Sequence, residues 1–226
     1  GVIMAATQNV VRRIAPDLPA NIKTAEACGL SLSAVHDYME KRQIPTFLED
    51  IRNGVVRANQ IVTNMLSFSR RPSEGGALES MADLLDQTLF WAASDYDLKK
   101  KYDFRQIHIE RDYDPETPKV FCQASKIQQV FLNILRNSAE AMEENRGSKH
   151  TPCFKLRVYP DQDRVRIEIR DNGPGMDEAT RRRIFEPFFT TKPPGVGTGL
   201  GLSVSYFIIT QNHDGATSVE SAPGEG

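Results

Sequence analysis

Apolar residues in the first third of the chain follow a helical spacing. From Ile44 to Ser69 they recur in alternating steps of four and three residues, the pattern of a helix that packs along one seam against another helix. A shorter stripe of the same kind runs from Val2 to Ile14. We predict that the two helices form an antiparallel hairpin, which becomes a four-helix bundle when two copies of the chain form a homodimer. An intramolecular pair of helices, without a second copy, is the alternative.

The two helices are joined by an enlarged connection, residues 15–43, in which a further helix is predicted from Leu32 to Arg42. Turn-forming residues at positions 71–76 end the long helix. We therefore place a domain boundary at this point, with a helical hairpin domain in residues 1–71 and a second domain in residues 77–226.

The pattern of the second domain mixes helices and strands. Phe154–Tyr159 and Val165–Ile169 alternate apolar and polar residues on either side of a polar turn, which is typical of an antiparallel hairpin. Residues 124–144 instead place their apolar residues along one side of a helix. These patterns predict an α+β sandwich with helices on one face of the sheet. The other predicted elements are helices at Met81–Ala93 and Leu200–Gln211 and strands at Ile107–Arg111, Val120–Cys122 and Ala216–Ser221.

Composition and charge narrow the class of protein. The 226 residues are 39% hydrophobic and 26% charged, as in globular proteins, and the formal net charge of −2 gives no field that attracts nucleic acid. The three cysteines lack the paired spacing of a zinc site or a disulfide framework, which favours a reducing, cytoplasmic environment. No run of about eighteen apolar residues is present. We therefore expect no membrane contact by this chain, although a region upstream of Gly1 can tether it to the inner membrane.

The helix at residues 124–144 carries two asparagines, Asn133 and Asn137, one turn apart on the same face. Their amides therefore point into one cleft. The carbonyl oxygen of Asn137 is a suitable ligand for Mg²⁺, a hard cation that keeps several waters and sits among phosphate oxygens. A pair of solvated helix asparagines is the alternative.

Asp171 ends the second strand of the predicted hairpin and is followed by Asn-Gly-Pro-Gly-Met. Its carboxylate is a suitable acceptor for an exocyclic amine, and Gly173 and Gly175 let the backbone approach a flat ring because they have no Cβ. These properties fit adenine. A plain Asp-Asn-Gly turn without a ligand is the alternative.

Two further segments indicate phosphate chemistry. The aromatic, proline-containing stretch 184–192 resembles the hinge of a lid, and its Thr190, Thr191 and Lys192 offer hydroxyls and a point charge to a terminal phosphate. Residues 195–202 open a helix, so their backbone N–H groups can hold phosphates. The stretch lacks the Gly-Lys-Ser or Gly-Lys-Thr that closes the phosphate loop of the common nucleotide hydrolases. For residues 184–192 the alternative is a set of aromatic core residues followed by a surface turn.

These four segments occur in the order of the N, G1, F and G2 boxes of the sensor histidine kinases, which this chain resembles over residues 77–226. The sequences Asn-Ser-Ala-Glu-Ala-Met and Phe-Phe-Thr-Thr-Lys are similar to those of the nitrogen-regulation sensor kinases. The resemblance implies a Bergerat ATP-binding fold, as in gyrase, the Hsp90 chaperones and the mismatch-repair ATPases, with ATP and Mg²⁺ as ligands. It implies nucleotide contacts by Asn137, Ala141, Asp171, Gly173, Gly175, Met176, Phe189, Thr190, Thr191, Lys192, Gly197, Thr198, Gly199, Leu200, Gly201 and Leu202, with Asn137 also binding the metal.

The residue at position 133 separates kinases from hydrolases in this superfamily. Water-splitting members hold a glutamate there as general base, whereas the amide of Asn133 takes no proton at neutral pH. We therefore expect ATP to be kept for another acceptor, with Asn133 and Lys192 as the catalytic positions. Some members carry a lysine where this chain has Glu140, so neutralisation of the phosphates is expected to shift to Lys192. A GHKL ATPase and a non-catalytic ATP-binding dimer module are the alternatives.

The resemblance also implies the phosphate acceptors. In the family a histidine on the first hairpin helix receives the γ-phosphoryl group, and an aspartate in the receiver domain of a response regulator receives it next. Residues 1–4 resemble the segment directly after that histidine's motif, and residues 61–70 resemble the end of the second helix. We therefore expect the acceptor upstream of Gly1, so that this chain alone does not autophosphorylate. His36 is too close to Phe68 for two long antiparallel helices to fit between them.

Overall fold

In the computed structural model of this chain, the backbone divides into two units, Gly1–Leu66 and Ser67–Gly226. The structure describes residues 2–69, 75–94, 104–144, 151–193 and 197–224. The predicted break at positions 71–76 lies largely outside these residues, so the domain boundary there remains a prediction. Among the described residues, no helix is both long and apolar enough to span a lipid bilayer.

The first unit is helical, and the two helices with the strongest apolar stripes begin and end as predicted. The sequence pattern does not predict the second helix, because Pro19 resembles part of a connection, yet proline fits the first turn of a helix, where its missing N–H would have no partner. The Nδ2 of Asn21 joins this helix to the first by donating to the carbonyl oxygens of Arg12 (2.8 Å) and Ala15 (2.9 Å). The helices are α1 (Val2–Ile14), α2 (Pro19–Ala27), α3 (Leu32–Lys41) and α4 (Ile44–Ser69).

The apolar stripes of α1 and α4 are partly exposed in the single chain. Ile3 and Val10 of the α1 stripe and Ile51 of the α4 stripe lie at the surface, and Ile51 is 49% exposed. Full burial of such a side chain contributes roughly 1.5–3 kcal/mol. These faces would therefore be stabilised by another helix that covered them.

The second unit contains one three-stranded and one two-stranded sheet. In the larger sheet the order is β2-β4-β5, with β2 parallel to β4 and β4 antiparallel to β5. The hairpin β4-β5 is the predicted one, with its turn at Gln162 and Asp163. The short strand β1, which pairs with the predicted strand β3, is not predicted from the sequence. The strands are β1 (Ala77–Glu79), β2 (His108–Tyr113), β3 (Val120–Cys122), β4 (Cys153–Asp161) and β5 (Arg164–Asp171).

The helices of the second unit cover one face of the larger sheet, which confirms the predicted α+β sandwich. Leu85 of α5, Leu135 of α6 and Phe154 and Leu156 of β4 form the centre of this core and are fully buried. The opposite face of β4 carries Lys155, Arg157 and other charged side chains, which explains the alternating sequence pattern. The helices are α5 (Met81–Ser94), α6 (Ala124–Glu144), α7 (Glu178–Arg183) and α8 (Gly201–Asn212), with a 3₁₀ turn at Phe104–Gln106.

The prediction of a strand at Ala216–Ser221 is wrong, because these residues do not form a strand. They run beside the loop and helix that follow β5, where Met176 N donates to Oγ of Ser221 (2.9 Å) and Arg181 donates to the carbonyl oxygen of Val219 (3.4 Å). The irregular backbone of that loop offers no ladder of N–H and C=O groups, so an alternating sequence alone does not produce a strand here.

Leu135→Ala is expected to reduce the free energy of unfolding of the second unit by about 2–5 kcal/mol, because it leaves a cavity in the core. Leu132→Ala is the matched control, since this leucine lies on the same helix but is 38% exposed. Urea unfolding followed by fluorescence measures the effect, because Trp91 is the one tryptophan of the chain and lies in α5. Equal losses in the two variants would contradict the described core.

Candidate functional site

The first turn of α8 lies beside the middle of α6. There the Nδ2 of Asn133 donates hydrogen bonds to the carbonyl oxygen of Gly201 (3.0 Å) and to Oγ of Ser205 (3.2 Å). An amide nitrogen has two protons to donate, and both are directed at α8. Asn133 therefore fixes the start of the glycine-rich helix against α6.

Asn137 lies one turn further along α6 and is half-buried. Its Nδ2 is 4.0 Å from the position that a Cβ on Gly201 would take, so both asparagines flank this glycine. In the part of the chain that the structure describes, the Asn137 amide has no hydrogen-bond partner. Its oxygen is available to a ligand at the N-terminus of α8, where unpaired backbone N–H groups favour anions.

The loop after β5 folds back onto the C-terminal part of α6. Oδ1 of Asp171 accepts a hydrogen bond from the backbone N–H of Gly173 (2.9 Å), which leaves its second oxygen for another donor. A Cβ on Gly173 would lie 2.8 Å from Oδ1 of Asp171 and 3.6 Å from the Cβ of Ala141. Asp171, Gly173 and Ala141 are thus adjacent, as the resemblance implies, and a side chain at position 173 would disturb the carboxylate.

Asn172 is a supporting residue that the sequence reasoning does not identify. Its Oδ1 accepts from the backbone N–H of Cys153 (2.9 Å), and its Nδ2 donates to the carbonyl oxygen of Thr151 (2.8 Å). The side chain therefore ties the end of β5 to the start of β4 and fixes the neighbouring Asp171. Its position next to Asp171, the predicted adenine-binding residue, could have drawn attention to it. Only the pairing of β5 with β4 shows which groups it contacts.

The short helix α7 leads into the predicted lid. Asp177 caps it by accepting a hydrogen bond from the backbone N–H of Thr180 (2.7 Å), and this bond holds the pKa of the Asp177 carboxyl below its usual range. At the other end, Arg183 pairs with Glu186 (2.9 Å) and lies over the ring of Phe189 at 4.3 Å. The aromatic residue is therefore fixed by the end of α7.

A strained contact joins residues 188 and 199. Phe188 and Gly199 both have positive φ angles, +67° and +64°, and the N–H of Phe188 donates to the carbonyl oxygen of Gly199 (2.9 Å). A Cβ on Gly199 would lie 2.4 Å from the carbonyl carbon of Phe188, so only glycine fits there. The contact fixes the aromatic stretch to the start of the glycine-rich turn.

We use the term lid segment for residues 186–193. Within it, Thr190 and Thr191 are exposed, and Oγ1 of Thr190 accepts from the backbone N–H of Lys192 (3.2 Å). Lys192 forms an ion pair with Glu140 of α6, three residues beyond Asn137. Its predicted role at a terminal phosphate remains a prediction, because in the structure the ammonium meets a carboxylate.

The remaining predicted residues surround the two turns. Gly197 packs against Thr190 and Lys192, since a Cβ there would lie 2.5 Å from Oγ1 of Thr190. Oγ1 of Thr198 accepts from the N–H of Leu200 (3.4 Å), and Leu200 is buried just before α8 begins. Gly175 has a φ of +67°, Met176 contacts Ser221, and Leu202 lies half-buried in the first turn of α8. Gly195 and Val196 of the glycine-rich stretch lie outside the described residues.

Part of the second unit is similar to a known protein family. Residues 122–226 match the family described as histidine kinase-, DNA gyrase B- and HSP90-like ATPase. The chain is 39% identical over 129 residues to sporulation kinase E of Bacillus subtilis strain 168, covering 57% of this chain and 16% of that protein. It is 37% identical over 126 residues to the sensory histidine kinase/phosphatase NtrB of Vibrio alginolyticus, covering 53% of this chain and 35% of that protein. The chain thus spans well under half the length of both relatives.

A solved structure shares the fold. Histidine kinase ThkA, solved in complex with the response regulator TrrA, has a TM-score of 0.57 and 21% identity, and the match covers 95% of this chain and 55% of that one. Together with the family match, this similarity confirms the predicted ATP-binding fold. Residues 122–226 are thus similar to this ATPase family, and the relatives named above are a sporulation kinase and a sensory histidine kinase/phosphatase.

The groups that line this site fit a magnesium nucleotide. Among the described residues the second oxygen of Asp171 has no hydrogen-bond donor and suits an exocyclic amine. The missing side chain at Gly173 leaves room beside Ala141, and the amide of Asn137 adjoins a helix N-terminus. No group of three His, Cys, Asp or Glu side chains converges on a metal position in the described ranges. A cation here would therefore depend on Asn137 together with the oxygens of the nucleotide.

Gly199→Ala is expected to break the contact with Phe188, because its Cβ would collide with backbone. Gly224→Ala is the matched control, since Gly224 also has a positive φ (+85°) but a Cβ there would have no atom within 4 Å. Both variants carry the conformational cost of about 1–2 kcal/mol for a left-handed residue. Hydrogen exchange of the Phe188 amide should accelerate only in Gly199→Ala, and equal rates in both variants would contradict the contact.

Proposed function

We propose that this chain is the ATP-binding and catalytic part of a sensor histidine kinase, which transfers the γ-phosphoryl group of ATP to a histidine. The observation that carries this proposal is the hydrogen bonding of the Asn133 side chain. Its amide nitrogen donates to Gly201 and Ser205, and the amide has no basic site that could take a proton from water. A hydrolase needs a base at this point, whereas a kinase needs a site that protects ATP from water.

The nucleotide is proposed to lie across α6, between the loop after β5 and the first turn of α8. Asp171 would accept from the exocyclic amine of adenine, with Gly173 and Ala141 beside the ring. The phosphates would lie near the N-terminus of α8 and the lid segment, where Thr190, Thr191 and Lys192 provide donors. Mg²⁺, held by the Asn137 oxygen and the phosphates, would neutralise charge on the transferred group.

The acceptor is proposed to be a histidine that precedes Gly1 in the longer protein. Its imidazole nitrogen would form a bond to the γ-phosphorus as the bond to the bridging oxygen of ADP breaks, and the group would then pass to a response-regulator aspartate. Within the chain, His36 lies on α3, a helix of ten residues, and not on either of the two predicted hairpin helices α1 and α4. The similarity to ThkA, which was solved with a response regulator, supports the second acceptor.

The first unit is proposed to form the dimer. Its support is the exposure of apolar side chains on both α1 and α4, which a second copy of the same helices can cover. Two copies would together supply four long helices, the number of a standard bundle.

Asp171→Asn is expected to weaken binding of Mg-ATP by about tenfold or more, since a hydrogen bond to a charged group contributes about 1.5–3 kcal/mol. The asparagine can still accept from Gly173, so the turn is kept while the second oxygen becomes an N–H₂ donor that faces the amine. Asp163→Asn, at the exposed hairpin turn, is the control. Calorimetric titration with Mg-ATP measures the affinity, and an unchanged value in Asp171→Asn would contradict the adenine assignment.

A longer polypeptide that includes the residues before Gly1 should become labelled by γ-labelled ATP, with label that is stable to base and labile to acid. Asn137→Ala is expected to abolish labelling, because it removes the proposed metal ligand. Phosphate release without labelled protein would instead indicate an ATPase. Binding of ATP with neither product would indicate a non-catalytic module, and either result would contradict the kinase.

A further inference from the structure

Lys192 is held by Glu140 in a shielded position. The Glu140 side chain is 18% exposed and the Lys192 side chain 26% exposed. In every other ion pair between the described residues, at least one partner is more than a third exposed. Solvent screens this pair less than the other ion pairs, so we expect it to stabilise the position of the lid segment more than an exposed pair would.

The stem of Lys192 is fixed as well as its charge. A Cβ on Gly197 would lie 3.2 Å from Cδ and 3.3 Å from Cβ of Lys192, and its backbone N–H donates to Thr190. The ion pair with Glu140 therefore joins the lid segment to α6, while the backbone hydrogen bond lies within the lid segment and the packing is against Gly197. The two charged residues are 52 positions apart in the sequence, so the link is a tertiary one.

Glu140 belongs to the same face of α6 as the two asparagines. Positions three or four residues apart on a helix are neighbours, so Glu140 lies next to Asn137 and, through it, Asn133. A carboxylate at this place repels the phosphates that the proposed function puts beside Asn137. The one ammonium group of Lys192 thus faces two competing anions, Glu140 and the terminal phosphate.

We propose that Glu140 is a positioning residue that holds Lys192 and the lid segment against α6, and that the terminal phosphate of a bound nucleotide exchanges with Glu140 for the lysine. The first half of this proposal concerns the protein alone. The second half rests on the proposed function. Glu140 accordingly lowers the affinity for a triphosphate and makes release of the lid segment from α6 dependent on the phosphate that arrives.

Hydrogen exchange in the absence of nucleotide tests the first half. Glu140→Gln and Lys192→Gln are each expected to accelerate exchange of the lid amides of Phe188, Phe189 and Lys192 by about threefold or more, the scale of a coupled pair. The double variant should exchange no faster than either single one, because both remove the same interaction. Lys192→Arg keeps the charge and should stay close to the unaltered chain. Unchanged exchange in Glu140→Gln, or additive effects in the double variant, would overturn the proposal.

Nucleotide titration tests the second half, with Mg-ATP and Mg-ADP as probes. Glu140→Gln should bind Mg-ATP several-fold more tightly, with a smaller gain for Mg-ADP, whereas Lys192→Gln should bind Mg-ATP more weakly. Glu116→Gln, which removes one exposed negative charge elsewhere in the second unit, is the matched control and should change neither affinity. Weaker binding of Mg-ATP by Glu140→Gln would show that the carboxylate assists the nucleotide and would overturn the exchange.

The two experiments separate the two proposals. Failure of the unaltered chain to bind either nucleotide would contradict the proposed function, while the exchange rates of the lid amides would still decide whether Glu140 holds Lys192. If ATP binds tightly but Glu140→Gln leaves the exchange rates of the lid amides unchanged, the proposed function is supported and this inference is overturned.

Discussion

The candidate site depends on the polar contact between α6 and α8. Asn133 directs both amide protons at the first turn of α8, and this contact places the glycine-rich turn beside Asn137. A carboxylate at position 133 would have no proton for the carbonyl oxygen of Gly201 and would repel it. The residue type that fixes the turn is therefore the type that cannot act as a base, so the structural contact and the proposed suppression of hydrolysis have the same origin.

A single helix organises the rest of the site. Asn133, Asn137, Glu140 and Ala141 follow one another on α6 at spacings that keep them on neighbouring positions of its surface. They meet, in order, α8, the proposed phosphate region, the lid segment and the loop after β5. Because the opposite side of the helix is buried through residues such as Leu135, the orientation of the polar side is fixed by the core.

The sequence predicts best the long elements, in which the spacing of apolar residues repeats over several turns. The ends of α4 and α6 agree with their apolar periodicity. The strand β1 is missed, and residues 216–221, predicted as a strand, form none. The places of the two asparagines on one face of α6 and of Asp171 at the end of β5 agree with the sequence pattern, while their roles stay predictions. The partner of Glu140 is not predictable, because Lys192 reaches it only through the path of the lid segment.

The order of the strands explains why the predicted adenine and metal positions adjoin. The C-terminal part of α6 lies beside the loop after β5, where Gly173 adjoins Ala141 and Met142. Antiparallel pairing then sets Phe154 opposite Asp171, which brings the end of β5 to the same edge of the sheet. Asn172 reinforces this pairing through Cys153. A parallel β4-β5 pair would carry Asp171 to the far end of the sheet, so the hairpin is the topological requirement for the contact between Gly173 and α6.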